Sequence, residues 1–269
     1  MLNWVETGRG PALVLVHGMA ASLHDWEALV PALVQAGYRV LAVDLPGHGD
    51  SPKSKDPQAY SIPAMYAAFE VWLCNLGLEA PIVLIGHSLG GYVSMEFSVR
   101  HPEMVAALVL VNPLYKAAQL SLPLRIWRRR PNLGMHLLRL VPTRLVQWAV
   151  DSTPVYQQGF SPEARSQIAI DLKRASPNIL RLTRQIPDLT PRLEDISMPT
   201  LLIWSERDLT LKPGSFPLLA ARLPNVTSRS ISRCGHQAHI TRSETVGRLI
   251  REFLSSNPAF PALFDNSAS

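Results

Sequence analysis

The chain has 269 residues, of which 47% are hydrophobic and 17% are charged. This length suits one large domain with a sizeable core, and this composition excludes a disordered chain. The net charge of +5 is uneven, because residues 115–195 carry 13 Lys or Arg and 6 Asp or Glu, whereas the rest is slightly acidic. A basic excess confined to one segment does not predict nucleic-acid binding, and we expect none.

Neither the start of the chain nor its cysteines indicates secretion. Residues 1–10 lack the apolar run behind a basic head that a signal peptide has. No stretch of about 18 uncharged apolar residues occurs that could span a bilayer. Cys74 and Cys234 do not make a disulfide framework or a metal site, so we expect two free thiols. These features favour a cytoplasmic protein.

Short apolar runs alternate with amphipathic stretches of helical length through the first part of the chain. The predicted strands are 13–16, 39–43, 82–85, 107–111, 200–204 and 226–231, and the predicted helices lie near 24–36, 62–76 and 88–100. Runs this short and this apolar are typical of strands that are buried on both faces. The alternation therefore predicts an α/β fold with a mostly parallel central sheet flanked by helices.

The alternation stops after Val111. The next 80 or so residues mix leucine and tryptophan with arginine and proline, and no strand is predicted before Thr200. We interpret this segment as a helical cap above the carboxyl edge of the sheet. The last residues, which contain Pro, Ala and Ser, predict a loose tail. The chain is thus divided into a core of residues 1–113 and 196–257, a cap of residues 114–195 and a flexible tail of residues 258–269.

The sequence Gly86-His87-Ser88-Leu89-Gly90 lies between a predicted strand and a predicted helix. A serine in such a sharp turn stands above the sheet, and the turn demands small residues on both sides of it. The following helix directs the positive end of its dipole towards any negative charge that develops there. We therefore predict that Ser88 is a catalytic nucleophile, against the alternative of a glycine-rich turn with an idle serine.

A serine hydroxyl needs a base to take its proton, and the base needs an acid to orient it. His236 follows the last predicted strand, and we predict it as the base, because the glycine before it favours it over His239. Asp208 follows the preceding predicted strand and is the predicted acid, with Glu206 as the nearer rival. Asn112 ends another predicted strand, but it cannot ionise.

The reaction also needs donors for the oxyanion, and backbone N–H groups supply them in turns of this kind. We predict the N–H of Leu89, directly after the nucleophile, as one donor. The N–H of Met19, in the loop His17-Gly18-Met19 after the first predicted strand, is the other. No paired His–Glu spacing and no cysteine cluster predicts a metal site.

These motifs together resemble those of the α/β-hydrolase superfamily over residues 11–254. They stand in the family's order and at its ordinary spacings, and the order serine, acid, histidine is that of this fold. The motifs are His17-Gly18-Met19, Asp44-Leu45-Pro46-Gly47-His48-Gly49-Asp50-Ser51, Gly86-His87-Ser88-Leu89-Gly90-Gly91, Trp204-Ser205-Glu206-Arg207-Asp208 and Gly235-His236.

The resemblance implies an eight-stranded, mostly parallel sheet, a helical cap inserted after the sixth strand and no cofactor. We expect the first two family strands to be abbreviated in this chain. Within this superfamily the residue at the position of Ser88 indicates the reaction. An aspartate there would imply a dehalogenase or an epoxide hydrolase, and Ser88 argues against both. The family often has an acidic residue a few positions after the catalytic histidine, where this chain has His239-Ile240-Thr241.

The cap combines apolar residues with six arginines between Leu120 and Val150. One interpretation is an amphipathic lid that contacts a membrane surface or admits a hydrophobic substrate. The alternative, which we favour, is a cap that packs its apolar face on the domain and leaves the arginines in water. We expect the substrate pocket to include His87, Trp127, Leu138 and Trp148.

The function predicted from the sequence is that of a serine esterase acting on small-to-medium apolar carboxylic esters, as a monomer or a homodimer. Carbon–carbon bond hydrolysis, acyl transfer and ligand binding without turnover remain alternatives. The intact set of Ser88, Asp208 and His236 argues against the last of these.

Overall fold

The computed structural model describes residues 1–78, 81–127, 138–153 and 159–257, except for the side chains of Pro123 and Trp127. Its central sheet has seven strands in the order β1-β3-β2-β4-β5-β6-β7. The strands are β1 (Trp4–Thr7), β2 (Ala12–Val16), β3 (Arg39–Val43), β4 (Ile82–His87), β5 (Val105–Val111), β6 (Thr200–Ser205) and β7 (Val226–Ile231). Only β1 runs antiparallel to its neighbour, so the mostly parallel sheet that the sequence predicts is confirmed.

Helices connect the parallel strands and cover both faces of the sheet. The helices of the core are α1 (Val30–Gln35), α2 (Ile62–Cys74), α3 (Leu89–Arg100), α7 (Ser215–Ala220), α8 (Ala238–Thr241) and α9 (Ser243–Ser255). Successive strand residues contact opposite layers, since Val14 belongs to one apolar cluster and both Leu13 and Leu15 belong to the other. The continuous apolar runs of the sequence follow from this burial on both faces.

The described sheet has one strand fewer than the eight that the resemblance implies, because a single antiparallel strand precedes β2. The sequence did not predict β1, since three of its four residues are exposed and it lacks a continuous apolar run. Pairing with β3 stabilises it as an edge strand. Because the described sheet has one strand fewer at its start, the sixth strand of the family corresponds to β5 here. The predicted insertion of the cap after the sixth strand is therefore an insertion after β5.

The described part of the segment between β5 and β6 is rich in helix and contains α4 (Leu122–Trp127), α5 (Thr143–Ser152) and α6 (Pro162–Arg174). Val146 and Val150 of α5 pack with Ile168 and Ala169 of α6 in a small apolar cluster of their own. Other apolar side chains of the cap remain exposed, among them Trp148. Residues 258–269, predicted to be a tail, lie outside the described residues.

The carboxyl ends of β2, β4, β5, β6 and β7 lie at one edge of the sheet, because these strands run parallel. The loops that leave this edge carry all three residues of the predicted triad, which explains how positions far apart in sequence reach one site. In the part of the chain that is described, no helix has the length and apolar character needed to cross a membrane.

Candidate active site

The turn from β4 into α3 presents Ser88 at the carboxyl edge of the sheet. Ser88 has φ 51° and ψ −112°, a strained conformation for a residue with a side chain. The turn is possible only because its flanks are glycines. A Cβ on Gly86 would lie 2.5 Å from the carbonyl oxygen of Gly90, and one on Gly90 would lie 2.0 Å from that of Val16. The sequence prediction of a sharp strand–turn–helix at this serine therefore agrees with the backbone geometry.

His236 and Asp208 form a close pair beside this turn. The Nδ1 of His236 lies 2.6 Å from Oδ2 of Asp208, and the carboxylate is buried. The other oxygen of Asp208 accepts hydrogen bonds from the N–H groups of Thr210 and Leu211, at 2.8 and 2.9 Å. A carboxylate held in this way fixes the His236 ring with Nδ1 protonated, which leaves Nε2 free to accept a proton.

Both rival residues lie elsewhere. The Glu206 side chain is exposed and accepts a hydrogen bond from the hydroxyl of Ser230. His239 is fully buried, and its Nε2 lies 3.6 Å from Oδ2 of Asp25, away from Asp208. The choice of Asp208 over Glu206 and of His236 over His239 is therefore consistent with the structure.

Asn112, which the sequence analysis did not assign to the site, and His87, which it assigned only to the pocket, hold the backbone of His236. The Nδ2 of Asn112 donates to the carbonyl of His236 at 2.6 Å, and the Nε2 of His87 donates to the same carbonyl at 3.1 Å. The Oδ1 of Asn112 accepts from the N–H of Ser205 at 2.8 Å, which anchors the amide to β6. The signal in the sequence for this role was an asparagine directly after an apolar strand. The structure buries this residue fully, and buried polar groups are nearly always paired.

Burial keeps His87 neutral. Desolvation, reinforced by His239 and His236, lowers the pKa of His87 well below its usual value. Because Nε2 donates to the His236 carbonyl, Nε2 carries the proton and Nδ1 bears a lone pair. His87 is thus a fixed neutral donor beneath the catalytic loop.

The loop after β2 passes close to Ser88. A Cβ on Gly18 would lie 2.8 Å from Nδ1 of His87 and 3.3 Å from the Cβ of Ser88, so a larger residue here would displace the buried His87 ring or the loop. His17 fixes the orientation of the loop, because its Nε2 accepts from the N–H of Leu45 and its Nδ1 then donates to the carbonyl of Gly18. In a trans peptide the N–H of Met19 points opposite to that carbonyl, away from His17.

The N–H of Leu89 directly follows Ser88 in the chain, and the N–H of Met19 belongs to a loop that lines the same cavity as Ser88. Neither donates to a protein acceptor within the described parts of the chain. Leu89 is the first residue of α3, so its N–H also has no acceptor in the preceding turn. Two unoccupied donors beside a strained serine are suited to binding an oxyanion.

A cavity of about 870 Å³ opens above these residues. Ser88, Asp208 and His236 line it together with Met19, and residues of α6 close it from the cap side. No hydrogen bond joins the Ser88 hydroxyl to His236 among the described residues, and such bonds are often long before a substrate binds. The volume suits a small-to-medium organic molecule.

The four predicted pocket residues differ in where they lie. His87 lines the cavity, whereas Leu138 packs against the apolar clusters of the core and the cap and is not among the lining residues. Trp148 is 67% exposed and also lies outside the lining. The side chain of Trp127 lies outside the described residues.

The lining also contains residues that the sequence analysis did not select. Phe160, Ile168 and Leu172 contribute apolar surface from the cap, and Asp171 contributes a buried carboxyl group. Desolvation raises the pKa of Asp171 to about 7. The sequence offers little indication of these residues, because the pattern of α6 is that of an ordinary amphipathic helix and does not show which side chains face the cavity.

Known proteins with related sequences are hydrolases of several kinds. A family model described as the alpha/beta hydrolase fold matches residues 11–140. Bifunctional epoxide hydrolase 2 of Sus scrofa is 25% identical over 303 residues, covering 97% of this chain and 54% of that protein. The chain therefore spans about half the length of that relative.

Two bacterial relatives match nearly end to end. A 2-hydroxy-6-oxononadienedioate/2-hydroxy-6-oxononatrienedioate hydrolase of Burkholderia vietnamiensis is 28% identical, with 94% of this chain and 90% of that protein covered. The pimeloyl-[acyl-carrier protein] methyl ester esterase of Aeromonas hydrophila is 29% identical, with coverage of 92% and 96%.

Among solved structures, a thermophilic esterase from Thermogutta terrifontis is similar, with a TM-score of 0.78 and 26% identity. The similarity covers 94% of this chain and 93% of that one. The fold class predicted from the sequence is thereby confirmed.

Proposed function

This chain belongs to the α/β-hydrolase superfamily, and we propose that it is a serine esterase that cleaves carboxylic esters of apolar small-to-medium substrates. The observation that carries the proposal is the Asp208–His236 pair, joined at 2.6 Å, on the same cavity as the strained Ser88. A buried acid that orients a histidine on the same cavity as an elbow serine is the arrangement that activates a hydroxyl.

In the proposed reaction His236 takes the proton of Ser88, and the serine oxygen attacks the ester carbonyl. The N–H groups of Met19 and Leu89 stabilise the negative charge on the carbonyl oxygen as the tetrahedral intermediate forms. His236 then protonates the leaving alcohol, which leaves the acyl group on Ser88. A water molecule activated by His236 attacks the acyl-enzyme, and the acid is released.

The preference for apolar esters is inferred from the walls of the cavity. Phe160, Ile168 and Leu172 offer apolar surface to an acyl or alcohol group. The esterase of Aeromonas hydrophila and the esterase of Thermogutta terrifontis support an ester as the substrate class. The epoxide hydrolase relative is a weaker guide, because the resemblance implies an aspartate where this chain has Ser88.

Carbon–carbon bond hydrolysis is the second candidate. The name of the Burkholderia vietnamiensis relative denotes a dicarboxylate substrate, and three arginines, Arg207, Arg233 and Arg242, lie on the cavity lining of this chain. Guanidinium groups at these positions suit the binding of a carboxylate. A substrate panel with neutral esters and with dicarboxylate vinylogous diketones discriminates between the two candidates.

The test is hydrolysis of p-nitrophenyl esters of graded chain length by the wild type and by Ser88→Ala. We expect the substitution to lower kcat by about 10⁴-fold or more, because it removes the nucleophile. Ser94→Ala is the matched control, since Ser94 is a buried serine of the following helix that does not line the cavity.

A fluorophosphonate probe gives a second readout that does not depend on the substrate. We expect it to label the wild type and Ser94→Ala but not Ser88→Ala, since labelling reports an activated serine. If the probe labels the protein but no ester is hydrolysed, the proposed substrate class is wrong, whereas the assignment of Ser88 as an activated nucleophile still holds. Absence of labelling in the folded wild type would favour a protein that binds ligands without catalysis.

A further inference from the structure

Behind the catalytic loop, three buried residues from distant parts of the chain converge. Asp25 lies in a short 3-10 helix, Leu23–Trp26, after β2, His87 ends β4, and His239 lies in α8. One ligand atom from each lies within 4.8 Å of the other two. The exposed fractions of these residues are 5%, 2% and 0%. The carboxyl edge of the sheet thus holds a second cluster of titratable groups, beside the proposed triad but separate from it.

The polar atoms of this cluster lack partners to an unusual degree. Among the described residues, Oδ2 of Asp25, Nδ1 of His87 and both ring nitrogens of His239 are buried without a hydrogen bond. Buried polar groups are nearly always paired, and each unpaired one destabilises the fold. When several buried polar atoms without hydrogen bonds lie in one place, a single ligand that binds all of them is a simpler explanation than a separate unsatisfied group at each position.

His87 has the orientation that a metal ligand needs. Its Nε2 donates to the backbone carbonyl of His236, so the lone pair is on Nδ1, which is buried without a hydrogen-bond partner among the described residues. Histidine ligands characteristically donate their other N–H to a carbonyl in this way. The loop leaves room for this arrangement, because a Cβ on Gly18 would lie 2.8 Å from that Nδ1.

We propose that Asp25, His87 and His239 form a binding site for one divalent transition-metal ion of the Zn²⁺ class. Two imidazoles and a carboxylate are ligands that Zn²⁺ accepts, and its charge would offset that of the Asp25 carboxylate. Bonds of about 2.1 Å require the three atoms to close in by on the order of 1 Å. Asp25 and His87 also line the main cavity, which provides a path of entry.

The three residues of this site lie far apart in the sequence, and so the sequence alone did not reveal it. No spacing pattern unites residues 25, 87 and 239, and the sequence analysis accordingly predicted no metal. An ion held there connects the loop after β2, the turn at Ser88 and α8. This helix begins two residues after His236. It therefore stabilises the region that holds the catalytic histidine, without contact with the reacting atoms.

The test is the binding of Zn²⁺ alone to chelator-treated wild-type protein, followed by calorimetry and by thermal unfolding. We expect one ion per chain and a rise in Tm of roughly 5–10 °C at a Zn²⁺ concentration about 100 times the Kd. Asp25→Asn and His239→Gln are expected to weaken binding at least about tenfold. His24→Gln, next to Asp25 but with a partly exposed ring, is the matched control and retains binding.

His236→Ala separates this site from the triad, which also contains a histidine and a carboxylate. We expect the variant to bind Zn²⁺ as the wild type does. Binding that is lost in His236→Ala but kept in His239→Gln would overturn the proposal, as would absence of binding to the folded wild type. In that second case Asp25 and His239 form only a close pair, with 3.6 Å between Oδ2 and Nε2.

A spectrum of the wild type with Co²⁺ needs no variant, and so it remains decisive if Asp25→Asn or His239→Gln fails to fold. A four- or five-coordinate site with nitrogen and oxygen ligands gives a visible band stronger than that of the hydrated ion. Displacement of that band by one equivalent of Zn²⁺ supports the site, and its absence rejects it. The proposal does not rest on ester hydrolysis, and these measurements do not depend on activity.

Discussion

Asn112 combines a left-handed backbone with a fully buried amide at the end of β5. Its φ is 43°, a conformation that asparagine tolerates better than most residues with a side chain. The amide bridges two strands and the catalytic loop, since it accepts from Ser205 and donates to the carbonyl of His236. Asn112 is therefore a positioning residue, which acts on the reaction through the backbone of His236.

We expect Asn112→Asp to lower kcat by about 10- to 100-fold with little change in KM, because an acceptor then faces the His236 carbonyl and the hydrogen bonds to the carbonyls of His236 and Gly235 are lost. Aspartate keeps the size and tolerates the same backbone, so the fold should persist. The measurement is the pH profile of kcat with a p-nitrophenyl ester, since a displaced base also changes the profile. Asn75→Asp, on the exposed end of α2, is the control. A profile and a kcat equal to those of the wild type would contradict this role.

At the scale of elements, the unit that matters is the strand, turn and helix from Ile82 to Arg100. Two glycines allow the backbone of the turn to pack directly on neighbouring backbone. The Cα of Gly90 faces the carbonyl of Val16, and the Cα of Gly86 faces Gly90. Any larger residue must push β2 and α3 apart, which moves the loop that carries Met19 away from Ser88.

We therefore expect Gly90→Ala to destabilise the protein by about 3 kcal/mol or more, the upper range for overpacking, since its Cβ would meet rigid backbone. The free energy of unfolding in urea, with ester hydrolysis on the folded fraction, measures both effects. Gly214→Ala is the matched control, because nothing lies within 4 Å of its Cβ and its backbone is helical. That change should alter stability by less than about 0.5 kcal/mol. Equal stability of the two variants would show that the turn adapts.

The elements that the sequence predicted are those with local signals. The apolar runs of β2 to β5 and the glycines around Ser88 each carry their information within a few residues, so periodicity and turn chemistry were sufficient. β1 escaped prediction because it is an exposed edge strand that depends on β3.

The rest of the site could not be predicted because it depends on contacts between distant residues. His87 and His236 meet although 149 positions separate them, and no property of either residue alone reveals the hydrogen bond. The same holds for Asp171, because the sequence predicted a cap above the sheet but not which of the cap side chains line the cavity. Family order guided the choice of Asp208 and His236, which form a close pair in the structure, whereas pocket residues chosen by hydrophobicity, such as the exposed Trp148, had no such guide.

At the scale of the whole molecule, Asp171 joins the cap to the core. Its Oδ2 accepts a hydrogen bond from the hydroxyl of Ser22 at 2.9 Å, and its Oδ1 accepts one from Gln167 at 2.9 Å. Ser22 lies in the loop after β2, three residues beyond Met19. The contact therefore links α6 to the loop that carries Met19, the proposed oxyanion donor, and the ionisation of one carboxyl group affects both.

The pKa of Asp171 makes this link dependent on pH. Burial raises the pKa from its ordinary value of 3.8 to about 7 in the folded protein. Between these two values the unfolded chain releases the proton while the folded chain keeps it, so the unfolding free energy falls as pH rises. The slope is about 1.4 kcal/mol per pH unit well inside this window, and it disappears above the folded pKa.

Asp171→Asn removes this titration and keeps the shape of the side chain. We expect the variant to gain about 2 kcal/mol in unfolding free energy relative to the wild type between pH 5 and pH 7, and little more between pH 8 and pH 9. Urea unfolding at each pH measures the difference, and Asp50→Asn, an exposed partner of Arg174, is the control. A difference that does not change with pH would mean that Asp171 ionises as readily in the cavity as in water. The carboxyl group would then bear its charge at neutral pH, and the cavity would disfavour anionic substrates far more strongly than a neutral wall does.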